Sequence, residues 1–103
     1  MIIIQTEDGA IVTDPKEIYI DKDLGGHLHI YADLSSTDRV KAVKLTVFDY
    51  SKEDLGLMLE TMYKTMNSWL FFDKHPHYVI TMEEVLRKTN WERMGKRMGR
   101  SHD

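Results

Sequence analysis

The sequence predicts an α+β domain: an antiparallel meander of four to five strands covered by one amphipathic helix, with a short helical C-terminal segment. Three observations predict it. Period-two apolar alternation runs through the first half, a period-3.6 apolar stripe follows Ser51, and turn-forming residues punctuate the strands at short intervals. With 103 residues, 42% of them apolar, and no cysteine, the chain suits one hydrophobic core and excludes disulfide and thiol chemistry.

Ile2 and Ile4 alternate in a first strand, and Asp8-Gly9 supplies a turn before Ile11 and Val12. Asp and Gly tolerate the positive φ angles of a tight reversal. Asp14 and Pro15 break the second strand, and Ile18, Tyr19 and Ile20 form a third, β-branched and aromatic run. Asp23, Leu24, Gly25 and Gly26 then make a turn with much backbone freedom. The fourth strand is the cleanest: Leu28, Ile30, Ala32 and Leu34 alternate with His27, His29, Tyr31 and Asp33, which predicts one buried and one wet face. After a polar connection at residues 35–38, Val43, Leu45 and Val47 alternate with Lys44, Thr46 and Phe48 in a fifth strand. Short connections favour antiparallel neighbours.

Ser51 with Asp54 predicts a helix start, flanked by Tyr50 and Leu55 at staple positions. Leu55, Met58, Leu59, Met62, Met66, Trp69 and Leu70 then recur at spacings of three and four, a stripe wide enough to cover a sheet. Glu60 and Lys64 form a favourable pair four apart, worth about 0.3 kcal/mol, whereas Gly56 costs about 1 kcal/mol relative to Ala. Burial must stabilise this helix more than propensity does. Residues 71–76 interrupt the pattern, and Tyr78, Val79 and Ile80 read as a last short strand or an extended loop. Thr81 with Glu84 opens a second helix, and Thr89 with Glu92 repeats the signature. Met82, Val85 and Leu86 share one side of that helix, but Trp91, Met94 and Met98 fall nearly opposite, which predicts a break near Thr89 and Asn90. The expected organisation is residues 1–80 as meander plus covering helix and 81–103 as a basic helical segment, either part of the same domain or an appended arm.

Charge is unevenly placed. Residues 1–50 carry nine acids and five bases, whereas residues 81–103 carry four acids and six bases. No stretch approaches the roughly 18 apolar residues of a membrane span, and the opening isoleucines are too short a run for a signal peptide. The expectation is a cytoplasmic protein with no membrane partner.

No motif reaches the specificity of a catalytic or cofactor site, so the sequence argues against an enzyme and implies no cofactor. Gly25 and Gly26 lack the helix and Lys of a phosphate loop, and no serine sits in a nucleophile elbow. Two His-x-His pairs, His27 with His29 and His75 with His77, make an alternative metal-ligand set, complete only if the pairs meet in space. The ordinary reading of His27 and His29 is the wet face of a strand.

The seven methionines are read mainly as core at Met58, Met62 and Met66. In the tail, Trp91, Arg93, Met94, Lys96, Arg97, Met98 and Arg100 form a short basic amphipathic segment, the candidate partner-binding surface. A protein partner is the leading expectation. The alternative is nucleic acid, bound through Arg87, Lys88, Arg93, Lys96, Arg97 and Arg100 with Trp91 stacking on a base. An exposed sheet edge or the tail could also support a homodimer.

The segments IIIQTEDG, EIYID, HLHIYADL and KLTVFDYSKEDLGLMLETMYKTMN resemble those of small β-meander-plus-helix proteins of Gram-positive bacteria and their phages, over roughly residues 1–68. Those elements are fold patterns rather than active-site motifs. The resemblance implies an accessory gene product that binds and modulates a host protein, an anti-defence inhibitor of a nucleic-acid-guided nuclease being one version. On this expectation the acidic first half occupies a basic groove of the host protein.

Overall fold

A computed structural model describes residues 2–35, 41–72 and 78–90. Its strands are β1 (Ile2–Gln5), β2 (Ile11–Thr13), β3 (Glu17–Lys22), β4 (Leu28–Asp33), β5 (Ala42–Lys44) and β6 (Tyr78–Thr81). The helices are α1 (Lys52–Phe72) and α2, helical across 82–90. The α+β class agrees with the sequence reading, but the strands form two sheets rather than one meander. One has the order β2-β1-β6 and the other β3-β4-β5.

The first sheet begins with the hairpin read from Asp8-Gly9, in which Ile4 pairs with Val12 and Gly9 takes φ +93°. Asp14 then ends β2 in the left-handed region, φ +48°, its carboxylate and amide both tied back to Ile2. That conformation costs a non-glycine residue little only where local hydrogen bonds hold it, and Asp14 has them. β6 lies parallel to β1, with Ile3 opposite Val79 and Ile4 opposite Ile80. A parallel partner from the far end of the chain leaves no local periodicity to read.

In the second sheet β3 and β4 pair along their length, from Glu17–Asp33 to Lys22–Leu28, and β5 flanks β4. Here the fifth strand ends at Lys44, earlier than its alternation suggests. Leu45 still donates to Ile30 O and is fully buried, but Val47 turns out into solvent instead of continuing the apolar face. The cause is Glu7. One of its carboxylate oxygens accepts the Val47 and Phe48 amides at 2.6 and 2.9 Å, and the other accepts the Tyr50 hydroxyl. Charge-assisted bonds of this kind outcompete a short edge ladder and pull the chain off the sheet.

One buried cluster joins all the layers: Ile4, Val12 and Ile80 from the first sheet, Ile18, Ile30 and Ala32 from the second, Leu45, then Leu55, Met58 and Met62 from α1 and Met82 and Val85 from α2. Met58 and Met62 are therefore core, as their spacing predicts, with Met66 partly buried against the cluster, and α1 packs against β3 and β4. Ser51 Oγ accepts the Asp54 amide at 3.1 Å and Thr81 Oγ1 accepts the Glu84 amide at 3.2 Å, so both sequence-read helix starts are real caps. Glu60 and Lys64 pair at 3.1 Å. Thr89, by contrast, is buried inside α2 and donates to Val85 O at 2.8 Å, so it starts no helix and α2 continues through residue 90. Among the described residues, no helix is long and apolar enough to cross a membrane.

Candidate functional site

Cross-strand partners in an antiparallel sheet share a face, so register alone sorts the side chains of β3-β4-β5. Ile18, Ala32 and Val43 form a row facing the core, as do Ile20 and Ile30. The opposite face carries Glu17 with Asp33, then Tyr19 with Tyr31 and Lys44, then Asp21 with His29. Tyr19 and Tyr31 are stacked, with centroids 5.8 Å apart and planes within 20° of parallel, and each is half-buried.

His29 departs from the wet-face expectation. It lies on the outer row but is only 3% exposed. The hairpin tip accounts for this. Gly26 at φ +83° lets the chain reverse, and Asp23 Oδ1 accepts the Gly25 and His27 amides, both at 2.9 Å. The other oxygen of Asp23 then faces His29 Nε2 and Lys44 Nζ, each at 3.3 Å. On the far side of the ring, His29 Nδ1 meets Thr46 Oγ1 at 3.0 Å, and Thr46 Oγ1 also accepts the Ile30 amide at 3.2 Å. In a neutral ring these contacts pair the Thr46 hydroxyl, as donor, with Nδ1 and the Nε2 proton with the Asp23 carboxylate. Both ends of the ring are satisfied, so its burial is tolerated.

A carboxylate, an imidazole and a hydroxyl in line have the parts of a proton relay, but Thr46 is fully buried with its oxygen engaged by Ile30. No substrate atom can approach it, and the array is structural. The amides of His27 and Gly25, together with Lys44, lower the Asp23 carboxyl to about 2 despite an opposing desolvation contribution.

The tip and the tyrosine row together shape an open depression of about 540 Å³ floored by Tyr19, Tyr31 and Ala42 and walled by Asp21, Lys22, Asp23, Leu24, Gly25 and Lys44. Leu24 stands fully exposed at the rim. Desolvation first, then the carboxylates of Asp33, Asp21 and Glu17, raise the Tyr19 hydroxyl above its ordinary value of 10.0, which records a negative field over the rings. Asp33 itself is lowered, chiefly by hydrogen bonds from the Ser35 hydroxyl and amide.

Of the residues singled out in the sequence, His27 and His29 take different partners. His27 is exposed and lies 3.2 Å from Asp49, while His29 faces Asp23 and Thr46. Among the described residues, no three His, Cys, Asp or Glu side chains converge to hold a metal. His75 and His77 lie outside the described residues, as do Trp91, Arg93, Met94, Lys96, Arg97, Met98 and Arg100 and the side chains of Trp69 and Leu70. The tyrosine pair was missed, yet its signal was present. Tyr19 and Tyr31 stand at equal distances from Gly25, so any hairpin centred on that turn sets them opposite one another in the polar phase of both strands.

The chain matches no protein-family model, no curated protein and no solved structure.

Proposed function

We propose that this chain is a non-enzymatic interaction protein that docks a partner protein on the outer face of β3-β4-β5. The observation carrying this reading is the Tyr19–Tyr31 stack, a pair of half-exposed rings on the floor of a depression, on strands whose other outward residues are largely charged. Tyrosine supplies large contact area at small entropic cost and is enriched where binding energy concentrates. The scaffold under it is preorganised, since β4 is paired on both sides and Asp23 ties the tip.

Charge favours protein over nucleic acid at this face, because Glu17, Asp21 and Asp33 repel phosphates. The nucleic-acid alternative rests on the basic tail, of which Arg87 and Lys88 are described, and Lys88 lies 3.5 Å from Glu84. A protein of this kind acts by occupancy, covering a basic surface of a host protein, and the anti-defence inhibitor expected from the resemblance is one such case.

The test is affinity capture from host cells with the full chain, comparing the unmodified protein with a Tyr19→Ser/Tyr31→Ser variant whose circular dichroism is unchanged. The expected result is a partner protein recovered by the first and lost by the second. Equal recovery by both moves the interface elsewhere, and salt-sensitive recovery of nucleic acid alone overturns the reading.

A further inference from the structure

We infer that the depression recognises an arginine side chain of the partner, its guanidinium laid on the Tyr19–Tyr31 shelf and its N–H groups turned to the flanking carboxylates. This rests on the docking reading of the same face and names the chemistry of what docks there.

Sign of charge is the first argument. Two lysines line the depression: Lys44, whose ammonium is drawn to Asp23 at 3.3 Å, and Lys22, at the tip end of the hairpin opposite Leu28. Among the described residues, Glu17 and Asp21 make no ion pair, while Asp33 has Lys16 near it beyond ion-pair distance. Asp21 borders the shelf at the tip end, and Glu17 with Asp33 at the other. An incoming cation therefore meets acids on both sides of the aromatic floor.

Shape is the second argument. A guanidinium is planar, stacks on aromatic faces and presents five donors around its edge, so it can use the rings and the carboxylates together. An ammonium is a compact, strongly hydrated point charge, and in an open depression it keeps its water instead. Nucleobases also stack on tyrosine, but their phosphates would have to lie among the same acids. The flat shelf, the acids on both sides and the Asp23-bound lysine together select a planar cation.

The experiment is a titration of the isotope-labelled full chain with acetyl-Gly-Arg-Gly-amide, acetyl-Gly-Lys-Gly-amide and the neutral citrulline analogue of the first, read on the amide and ring signals of Tyr19 and Tyr31. The expected result is saturable movement of those signals by the arginine peptide, roughly five- to tenfold weaker binding of the lysine peptide, and no binding of the citrulline peptide. Asp21→Asn and Glu17→Gln, both exposed positions, should each weaken the arginine peptide severalfold without moving the thermal midpoint. Equal binding of arginine and lysine peptides overturns guanidinium recognition while leaving docking at this face intact. Unmoved tyrosine signals with every peptide also overturn it, and the capture experiment then decides separately whether the face docks anything. Movement of the same signals by a single-stranded oligonucleotide but by none of the peptides replaces the inference with nucleic-acid stacking.

Discussion

Replacing Thr46 with Val tests why a histidine can be buried on the outer face of this sheet. Thr46 has no exposed surface, and its hydroxyl serves two groups, the Ile30 amide at 3.2 Å and His29 Nδ1 at 3.0 Å. Valine nearly preserves the shape, so no cavity forms, but both groups lose their partner. At about 1–3 kcal/mol for each buried orphan, the expected cost is about 3 kcal/mol, a large share of the 5–15 kcal/mol available to a typical domain. Thr46→Ser keeps both hydrogen bonds and deletes one methyl, at about 1 kcal/mol. With a urea slope of about 1.5 kcal/mol/M, the midpoint should fall by about 2 M for valine and about 0.7 M for serine. Amide exchange at Ile30 should quicken in the valine variant alone. A valine variant as stable as the serine variant would refute the reasoning, because the hydroxyl would then contribute nothing net and the burial of His29 would need another cause.

Other outcomes follow from the same geometry. Asp23 has a folded-state value of about 2, below its unfolded value of 3.8, so its ionised form stabilises the fold above about pH 4 and that contribution is lost as pH falls through 2. Urea midpoints of the unmodified chain and Asp23→Ala should therefore differ by a constant amount above pH 4 and converge below it. Glu7→Ala should cost about 1–2 kcal/mol by chemical denaturation, since the Val47 and Phe48 amides it releases lie in an exposed loop and can be rehydrated. The same variant should lower the Tyr50 phenol, which desolvation raises first and the Glu7 bond and charge raise further, part of the way back to its ordinary value; phenolate absorbance reads this directly. Met62→Ala, at a fully buried position on α1, should cost about 2–5 kcal/mol in the same denaturation assay.

The parts of the fold legible in the sequence are those whose physics is local. The β4 alternation, the α1 stripe and the caps at Ser51 and Thr81 each depend on residues a few positions apart, and all four are present. The misreadings have distant causes. Val47 leaves the sheet because of Glu7, forty residues earlier, and His29 is buried on the outer face between Asp23 and Thr46, the latter seventeen residues on. The first sheet is completed by β6 pairing with β1 from the far end of the chain, for which pattern gives no warning. The candidate site was half-legible: both tyrosines were placed on strands, but their pairing required the hairpin centre to be fixed at Gly25.

The parallel pairing of Ile3 with Val79 also sets a timetable for biosynthesis. At about 5–20 residues per second, the opening strand is made roughly 4–15 s before its late companion. During that wait Ile4 has its hairpin mate Val12 but neither Ile80 nor Met82 to shelter it. The nascent chain thus carries an oily ribbon, and a stop codon before the last strand would leave that ribbon uncovered for good.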